Sequence, residues 1–134
     1  MAQHECYSLL LYLNKKIRLK VGKLGLITFC AGYYIYTGCA KKGIEKRILR
    51  HKLKDKPKHW HIDYLTSSPY VDVIDVFLHA YPAEKECLVN QWFLNLPGAS
   101  VPISGFGSSD CRQSCSSHLV YFTEKPVCKQ VNEI

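Results

Sequence analysis

Three residues near the end of the chain have side chains of the kind that bind zinc. Cys111, Cys115 and His118 are close in sequence, and His59 or His61 can supply a fourth ligand for a tetrahedral site. Three residues separate the two cysteines, so they lack the specificity of paired CxxC motifs. We therefore expect buried reduced thiols and no tightly bound metal here. The other cysteines show no pairing pattern: Cys6, Cys30, Cys39, Cys87 and Cys128.

Residues 41–58 carry a strong positive charge. Nine basic residues against two acidic ones give this segment a net charge of +7. Such a patch attracts polyanions, nucleic acid first and anionic lipid second. The alternative is a solvated face that keeps the protein in solution. We expect DNA as the partner, with RNA as an alternative, bound through Lys41, Lys42, Lys46, Arg50, Lys54 and Lys58.

The composition is that of a globular chain. It has 134 residues, of which 47% are hydrophobic and 22% charged, so we expect one domain over residues 1–134. Its core should span about residues 5–122, followed by a polar tail at 123–134. The longest uncharged stretch, residues 24–40, is interrupted by glycines and does not suit a membrane span. Residues 1–5 do not have the pattern of a secretory signal, so we expect a cytoplasmic protein with its cysteines as thiols.

Three segments predict a small antiparallel sheet within the first 38 residues. Cys6–Leu13 is an apolar run rich in Leu and Tyr, which is typical of a buried strand. Residues 17–21 alternate apolar and basic side chains, as a half-exposed strand does. Residues 33–37 combine aromatic and β-branched side chains between two glycines, which favours a strand.

The periodicity becomes helical after Gly43. Four apolar residues recur at helical spacing, with basic residues on the opposite face up to Pro57: Ile44, Ile48, Leu49 and Leu53. The pattern further along predicts a short helix at 59–65, a strand at 71–78, a helix at 83–94 and a strand at 118–122. The predicted fold class is α/β, with a small mixed or antiparallel sheet flanked by helices.

The order of several short motifs resembles the GIY-YIG nuclease superfamily. The matching residues are Tyr7 in a strand, Tyr36-Thr37-Gly38 at a strand end, Arg47 and His51 in a helix, and Glu86 in a later helix. HWHIDYL at 59–65, Glu86-Cys87, GFGSSDC at 105–111 and SHL at 117–119 resemble its small stand-alone Uri-type branch. The likeness covers about residues 5–122.

The resemblance has departures. Glu5 and Cys6 stand where Gly and Ile are usual, and Thr37 replaces the isoleucine of the second motif. The late asparagine of the superfamily has no clear counterpart, although Asp110 or a loop serine can substitute. These departures favour the alternative of a non-catalytic nucleic-acid-binding module on the same fold. A weaker alternative is a protein that docks an acidic partner.

The resemblance implies a metal-dependent endonuclease that hydrolyses phosphodiester bonds in DNA. Arg47 would stabilise charge on the phosphate oxygens through its planar fork of donors. Glu86 would bind Mg²⁺ or Mn²⁺, and His51 would orient the water or a phosphate oxygen. Tyr7 and Tyr36, on neighbouring strands, would position or deprotonate the water.

Each of these five residues also has an ordinary explanation. Strand tyrosines commonly pack across strands, and the chain has nine tyrosines. A glutamate near a helix N-terminus, as Glu86 is, interacts favourably with the helix dipole. Arg47 and His51 would then be side chains on a solvated helix.

Overall fold

The strands and helices of the structure follow the apolar runs and the helical periodicity of the sequence. Within residues 4–107, 115 and 117–128, which the computed structural model describes, the chain forms two antiparallel sheets and three α-helices. The elements are β1 (Cys6–Leu13), β2 (Ile17–Lys20), β3 (Leu26–Phe29), β4 (Gly32–Cys39), α1 (Ile44–Lys52), α2 (His61–Thr66), β5 (Val71–His79), α3 (Glu86–Leu94) and β6 (Leu119–Phe122). This architecture confirms the predicted fold class.

Strand β1 pairs with a neighbour on each of its edges. The larger sheet has the strand order β5-β1-β4-β6, and each neighbouring pair is antiparallel. Strands β2 and β3 form a separate two-stranded sheet. The prediction that the first 38 residues form one sheet is therefore wrong. Strands β4 and β5 occupy both edges of β1, so no edge is left for β2.

Both faces of β1 are buried. Leu9, Leu11 and Leu13 lie on the face that packs against α1, α2 and the small sheet. Leu10 lies on the opposite face and packs in a second cluster with α3 and β6. A strand covered on both faces has a continuous apolar sequence instead of an alternating one. This confirms the prediction of a buried strand at this position.

The other predicted elements agree in type and differ at their ends. Helix α2 begins at His61, two residues later than predicted, and β5 extends one residue further, to His79. The segment predicted as one helix from residue 83 starts with a 3₁₀ turn, Ala83–Lys85, and α3 begins at Glu86. Of the helices in the described ranges, none is long and apolar enough to cross a membrane.

Helix α1 ends before the position that the sequence pattern predicts. Its last residue is Lys52, and Leu53 has an extended backbone with φ −76° and ψ 134°. The buried Lys56 ammonium donates hydrogen bonds to the carbonyl oxygens of Arg50 and His51, each at 3.1 Å. These two carbonyls lie in the last turn, and the Arg50 carbonyl also accepts the backbone N–H of Leu53. Lys56 therefore helps to satisfy the C-terminal end of the helix.

The buried face of α1 also differs from the predicted one. Leu49 is 63% exposed and Leu53 is 56% exposed, whereas Ile48 and His51 are buried. The prediction that both leucines belong to the apolar stripe is wrong. His51 lies on the buried side because its ring nitrogen is hydrogen-bonded to the Tyr7 hydroxyl of β1, which offsets the cost of burying it.

A buried polar chain connects three strands of the larger sheet. The Ser8 hydroxyl of β1 is 2.8 Å from the Thr37 hydroxyl of β4 and 2.8 Å from His79 Nε2 of β5. All three side chains are fully buried. Burial lowers the pKa of His79 to about 4, so the ring is neutral in the folded protein near neutral pH.

The low pKa of His79 predicts a loss of stability in acid. An unfolded histidine takes up a proton below its ordinary pKa of 6.5, and the folded one does so only near 4. The contribution of His79 to the free energy of unfolding is therefore complete above pH 6.5. It is lost as the pH falls from 6.5 to 4, by up to about 1.4 kcal/mol per pH unit. Urea unfolding of the wild type and of His79→Asn across this range should show their difference shrinking.

The exposed His59 provides the control for this measurement. Its ring is accessible to water in the folded protein, so His59→Asn should change the free energy of unfolding at pH 7.5 much less than His79→Asn does. A constant stability difference between wild type and His79→Asn from pH 7.5 to 4 would contradict the assignment.

Candidate active site

Four of the five residues predicted to be catalytic line one pocket. They come from β1, β4, α1 and the first residue of α3, at the end of the larger sheet where the elements from its two faces meet. The pocket has a volume of about 220 Å³. Its lining consists of Tyr7, Tyr36, Arg47 and Glu86, together with Cys39, Trp60, Gly107 and His118.

The two tyrosines come from adjacent strands, and Gly38 leaves room for one of them. In the β1–β4 register Tyr7 lies opposite Gly38, and Tyr36 lies opposite Leu9. A Cβ atom at Gly38 would lie 2.6 Å from Tyr7 Oη and 2.8 Å from Tyr7 Cζ, closer than nonbonded carbon atoms approach. Glycine is therefore required at this position by the close approach of the Tyr7 ring.

The fifth predicted residue, His51, lies behind Tyr7. Its Nε2 atom is 2.6 Å from Tyr7 Oη, its side chain is buried, and it is not part of the pocket lining. Burial, aided by the nearby Lys56 ammonium, lowers the pKa of His51 to about 4. The ring is thus neutral at neutral pH, and it reaches the pocket only through the Tyr7 hydroxyl.

Neither tyrosine is ionised at neutral pH. Burial raises the pKa of Tyr7, and the positive charge of Arg47 opposes this only in part. Burial also raises the pKa of Tyr36, and the neighbouring Tyr7 and Glu86 add to the effect. Both hydroxyls are therefore neutral groups that can donate and accept hydrogen bonds.

Arg47 is held in place from two directions. Its guanidinium donates a hydrogen bond to the carbonyl oxygen of Cys39 at the end of β4. Its Cζ atom also lies over the Trp60 ring, 4.7 Å from the ring centroid. These contacts order the side chain before any ligand binds, and donors remain free because a guanidinium has five N–H groups.

Glu86 is a carboxyl group with little charge compensation. Its side chain is 25% exposed. Burial raises its pKa to about 7, although a hydrogen bond with the Cys39 thiol and the charge of Arg47 act in the opposite direction. A carboxylate oxygen is the ligand type that Mg²⁺ and Mn²⁺ prefer, and a cation here would compensate the buried charge. The residue therefore fits the predicted role of a metal ligand.

The cysteine predictions are changed by a pairing between distant segments. Cys87 and Cys115 form a disulfide, so the expectation that all cysteines are thiols is wrong for this pair. Sequence spacing did not indicate it because Cys87 is in α3 and Cys115 precedes β6. Cys111 lies outside the described residues. The thiols of Cys6, Cys30, Cys39 and Cys128 are free.

The residues predicted to bind nucleic acid differ in their surroundings. The Arg50 guanidinium donates two hydrogen bonds to the buried Asp63 carboxylate, at 2.9 Å to Oδ1 and 3.0 Å to Oδ2. The Lys54 ammonium donates to backbone carbonyl oxygens, including that of Ser68 at 2.7 Å. The remaining four are exposed and have no hydrogen bond or ion pair within the described part of the chain: Lys41, Lys42, Lys46 and Lys58.

Comparison with known families places the chain in a family of unknown function. The family model described as "Domain of unknown function DUF123" matches residues 6–134. The chain belongs to this DUF123 family. No curated protein and no solved structure matches it.

The Gly38 contact gives a prediction for the site of this DUF123 protein. Gly38→Ala should displace the Tyr7 ring and break its hydrogen bond with His51, because the added Cβ overlaps Tyr7 Oη. Overpacking of this kind costs about 1–3 kcal/mol of stability. Ring-nitrogen NMR shifts of His51 should move toward those of Tyr7→Phe, which lacks the hydroxyl. Wild-type shifts in Gly38→Ala would contradict the contact.

Proposed function

We propose that this DUF123 protein is a divalent-metal-dependent endonuclease that hydrolyses phosphodiester bonds in DNA. The observation that carries the proposal is that two neutral phenols, an ordered guanidinium and a carboxyl group with little charge compensation line one pocket. Phosphodiester hydrolysis requires an oriented water, a cation at the developing phosphate charge and a stabilised leaving oxygen. The motif order that resembles GIY-YIG nucleases supports the same reading.

Glu86 would hold Mg²⁺ or Mn²⁺ in this mechanism. It is the single carboxylate among the described residues that line the pocket, so water and phosphate oxygens would complete the ligand set. When bound, the ion would act as a Lewis acid on the phosphate and lower the pKa of the attacking water. Glu86 itself would supply the negative charge that retains the ion beside the phosphate.

Arg47 would stabilise the charge that develops on the phosphate oxygens. Its contacts with the Cys39 carbonyl and the Trp60 ring fix the guanidinium, so no reorganisation is needed when the charge develops. A planar fork of donors also matches two oxygens of one phosphate, which a lysine ammonium does not.

Tyr7 would position the attacking water instead of deprotonating it. A base at this position would need either an ionised phenol or a partner that accepts the phenolic proton. Burial raises the pKa of Tyr7, and the low pKa of His51 makes it a weak proton acceptor. His51 therefore acts through Tyr7 as a positioning residue, and Tyr36 provides a second hydroxyl beside the same water.

The alternative is a module that binds nucleic acid without cleaving it. One observation favours it: the stacked Arg47, Trp60 and Arg50 side chains, with guanidinium carbons 4.7 and 4.6 Å from the ring centroid, form a surface on which a base or phosphate can rest. Binding of this kind needs neither Glu86 nor a metal ion. Cleavage and binding assays of the same variants therefore distinguish the two functions.

Variants of Glu86 and Arg47 test catalysis. Glu86→Ala should abolish cleavage while DNA affinity is kept or rises, because a negative charge beside the phosphate is removed. Arg47→Ala should lower the single-turnover rate by about 10²–10³-fold and affinity much less, since its donors act mainly on charge in the transition state. Arg47→Lys should restore little activity. Cleavage rate and equilibrium binding are measured on the same DNA in Mg²⁺ and Mn²⁺.

Two exposed residues outside the pocket serve as matched controls for these charge changes. Glu124→Ala and Arg18→Ala should leave both cleavage and binding near wild type. Wild-type cleavage by Glu86→Ala would reject the active-site assignment. Equal losses of binding and cleavage in every pocket variant would favour the binding module.

The exposed lysines around α1 predict a salt-dependent interaction with DNA. Each phosphate contact contributes about −0.9 to the slope of log affinity against log salt concentration. Replacing Lys41, Lys42 and Lys46 together with alanine should flatten this slope in a titration of duplex DNA. The triple variant of Lys20, Lys23 and Lys125, which loses the same charge elsewhere, should keep it. Equal slopes for both triple variants would place the DNA surface away from these three lysines.

A further inference from the structure

The first turn of α3 and the chain before β6 bring two sulfur atoms and an imidazole together. The Sγ atoms of Cys87 and Cys115 and a ring nitrogen of His118 all lie within 4.8 Å of one another. Cys87 and His118 are buried, and Cys115 is half-buried. The disulfide between the two cysteines accounts for the sulfur atoms but leaves both imidazole nitrogens without a hydrogen bond from the described part of the chain.

The His118 imidazole is buried beside the two cysteines without a hydrogen bond from the described residues. Its side chain is 3% exposed, and neither ring nitrogen has a hydrogen-bond partner among the described residues. The Glu86 carboxylate oxygen is 3.8 Å from Nδ1, which is beyond hydrogen-bond distance. Buried polar groups are nearly always satisfied, so an unpaired imidazole facing two cysteines indicates a missing ligand.

We propose that Cys87, Cys115 and His118 bind a Zn²⁺ ion when the two cysteines are reduced. Thiolate and imidazole ligands select zinc, whereas Mg²⁺ takes oxygen ligands. Zinc bonds of about 2.3 Å to sulfur and about 2.0–2.1 Å to nitrogen place tetrahedral ligand atoms roughly 3.5–3.8 Å apart. The imidazole nitrogen already lies within 4.8 Å of both sulfur atoms, and reduction of the disulfide frees the two sulfurs to separate to this spacing. A water molecule can take the fourth position.

This site differs from the one considered from sequence spacing. The expectation of no tightly bound metal concerned Cys111, Cys115 and His118, which are neighbours in sequence. The structure instead supplies Cys87 from α3. Zinc here would give His118 a partner and connect the N-terminus of α3 to the chain that leads into β6. The proposal does not rest on the nuclease function.

The disulfide and the zinc site are alternative states of the same two sulfur atoms. Reduction breaks the S–S bond with two electrons from a small-molecule thiol, two molecules of which leave joined by a new disulfide. Each cysteine gains one proton in this exchange. Zinc then displaces both protons and binds the sulfurs as thiolates.

Metal titration of the reduced full chain tests the proposal without DNA. The metal-free, reduced protein should bind about one Zn²⁺ per chain by elemental analysis after desalting. With Co²⁺ as a probe it should show a thiolate-to-cobalt charge-transfer band, which Zn²⁺ removes. Cys115→Ser and His118→Gln should lose stoichiometric binding. Cys30→Ser and Cys128→Ser, which replace free thiols, should keep it.

Alkylation of the wild type keeps the test decisive if a variant fails to fold. Zinc should protect Cys87 and Cys115 from a thiol-alkylating reagent, and a chelator should expose both, as read by mass spectrometry. Absence of stoichiometric zinc in the reduced wild type, alkylation of both cysteines despite zinc, or unchanged binding by a folded Cys115→Ser would overturn the proposal.

Glu86→Ala separates this site from the proposed nuclease centre. The variant should retain the zinc and lose cleavage. Loss of the zinc from a folded Glu86→Ala protein would assign the ion to the pocket carboxylate and overturn the proposal. Retention of zinc together with retained cleavage would leave the zinc site standing and reject the assignment of Glu86 to the nuclease site.

Discussion

The burial of both faces of β1 is the constraint on which the pocket depends. With β4 and β5 on its edges and helices on both faces, this strand is buried along its length except at the half-buried Tyr12. Elements from the two faces can meet only beyond the end of the sheet. Arg47 arrives there from α1 on one face and Glu86 from α3 on the other, while Tyr7 lies at the start of β1 between them. The site is thus a consequence of the layer arrangement.

The basic segment is partly structural. Arg50 neutralises the buried Asp63, and the Lys54 and Lys56 ammonium groups donate to backbone carbonyl oxygens and to the buried Thr66 hydroxyl. Burial of Asp63 would raise its pKa, but hydrogen bonds from Arg50 and from two backbone amides lower it. The charge count of residues 41–58 therefore overestimates what is available to a polyanion, and the lysines on either side of these anchors form the accessible part.

The sequence predicted the larger elements and brought together four side chains that line one pocket. Apolar runs and helical spacing depend on local patterns, so β1, β5 and the three helices were found. The buried side of α1 and the position of His51 were not, because they depend on a hydrogen bond to Tyr7, a residue far away in sequence. The Cys87–Cys115 disulfide was not predicted for the same reason. It joins α3 to the chain before β6, and the spacing of cysteines within one segment carries no information about such a contact.

Adjacent residues at the start of α3 face different chemical surroundings. Successive side chains on an α-helix point about 100° apart. Glu86 therefore faces the pocket with its carboxylate oxygens, while the Cys87 sulfur faces the chain before β6. The two proposed ions would be discriminated by ligand type, because hard ions take oxygen ligands and zinc takes sulfur and imidazole ligands. The two proposed sites would adjoin each other, because Glu86 and Cys87 are neighbours in α3 and the His118 ring also lines the pocket, 3.8 Å from the Glu86 carboxylate.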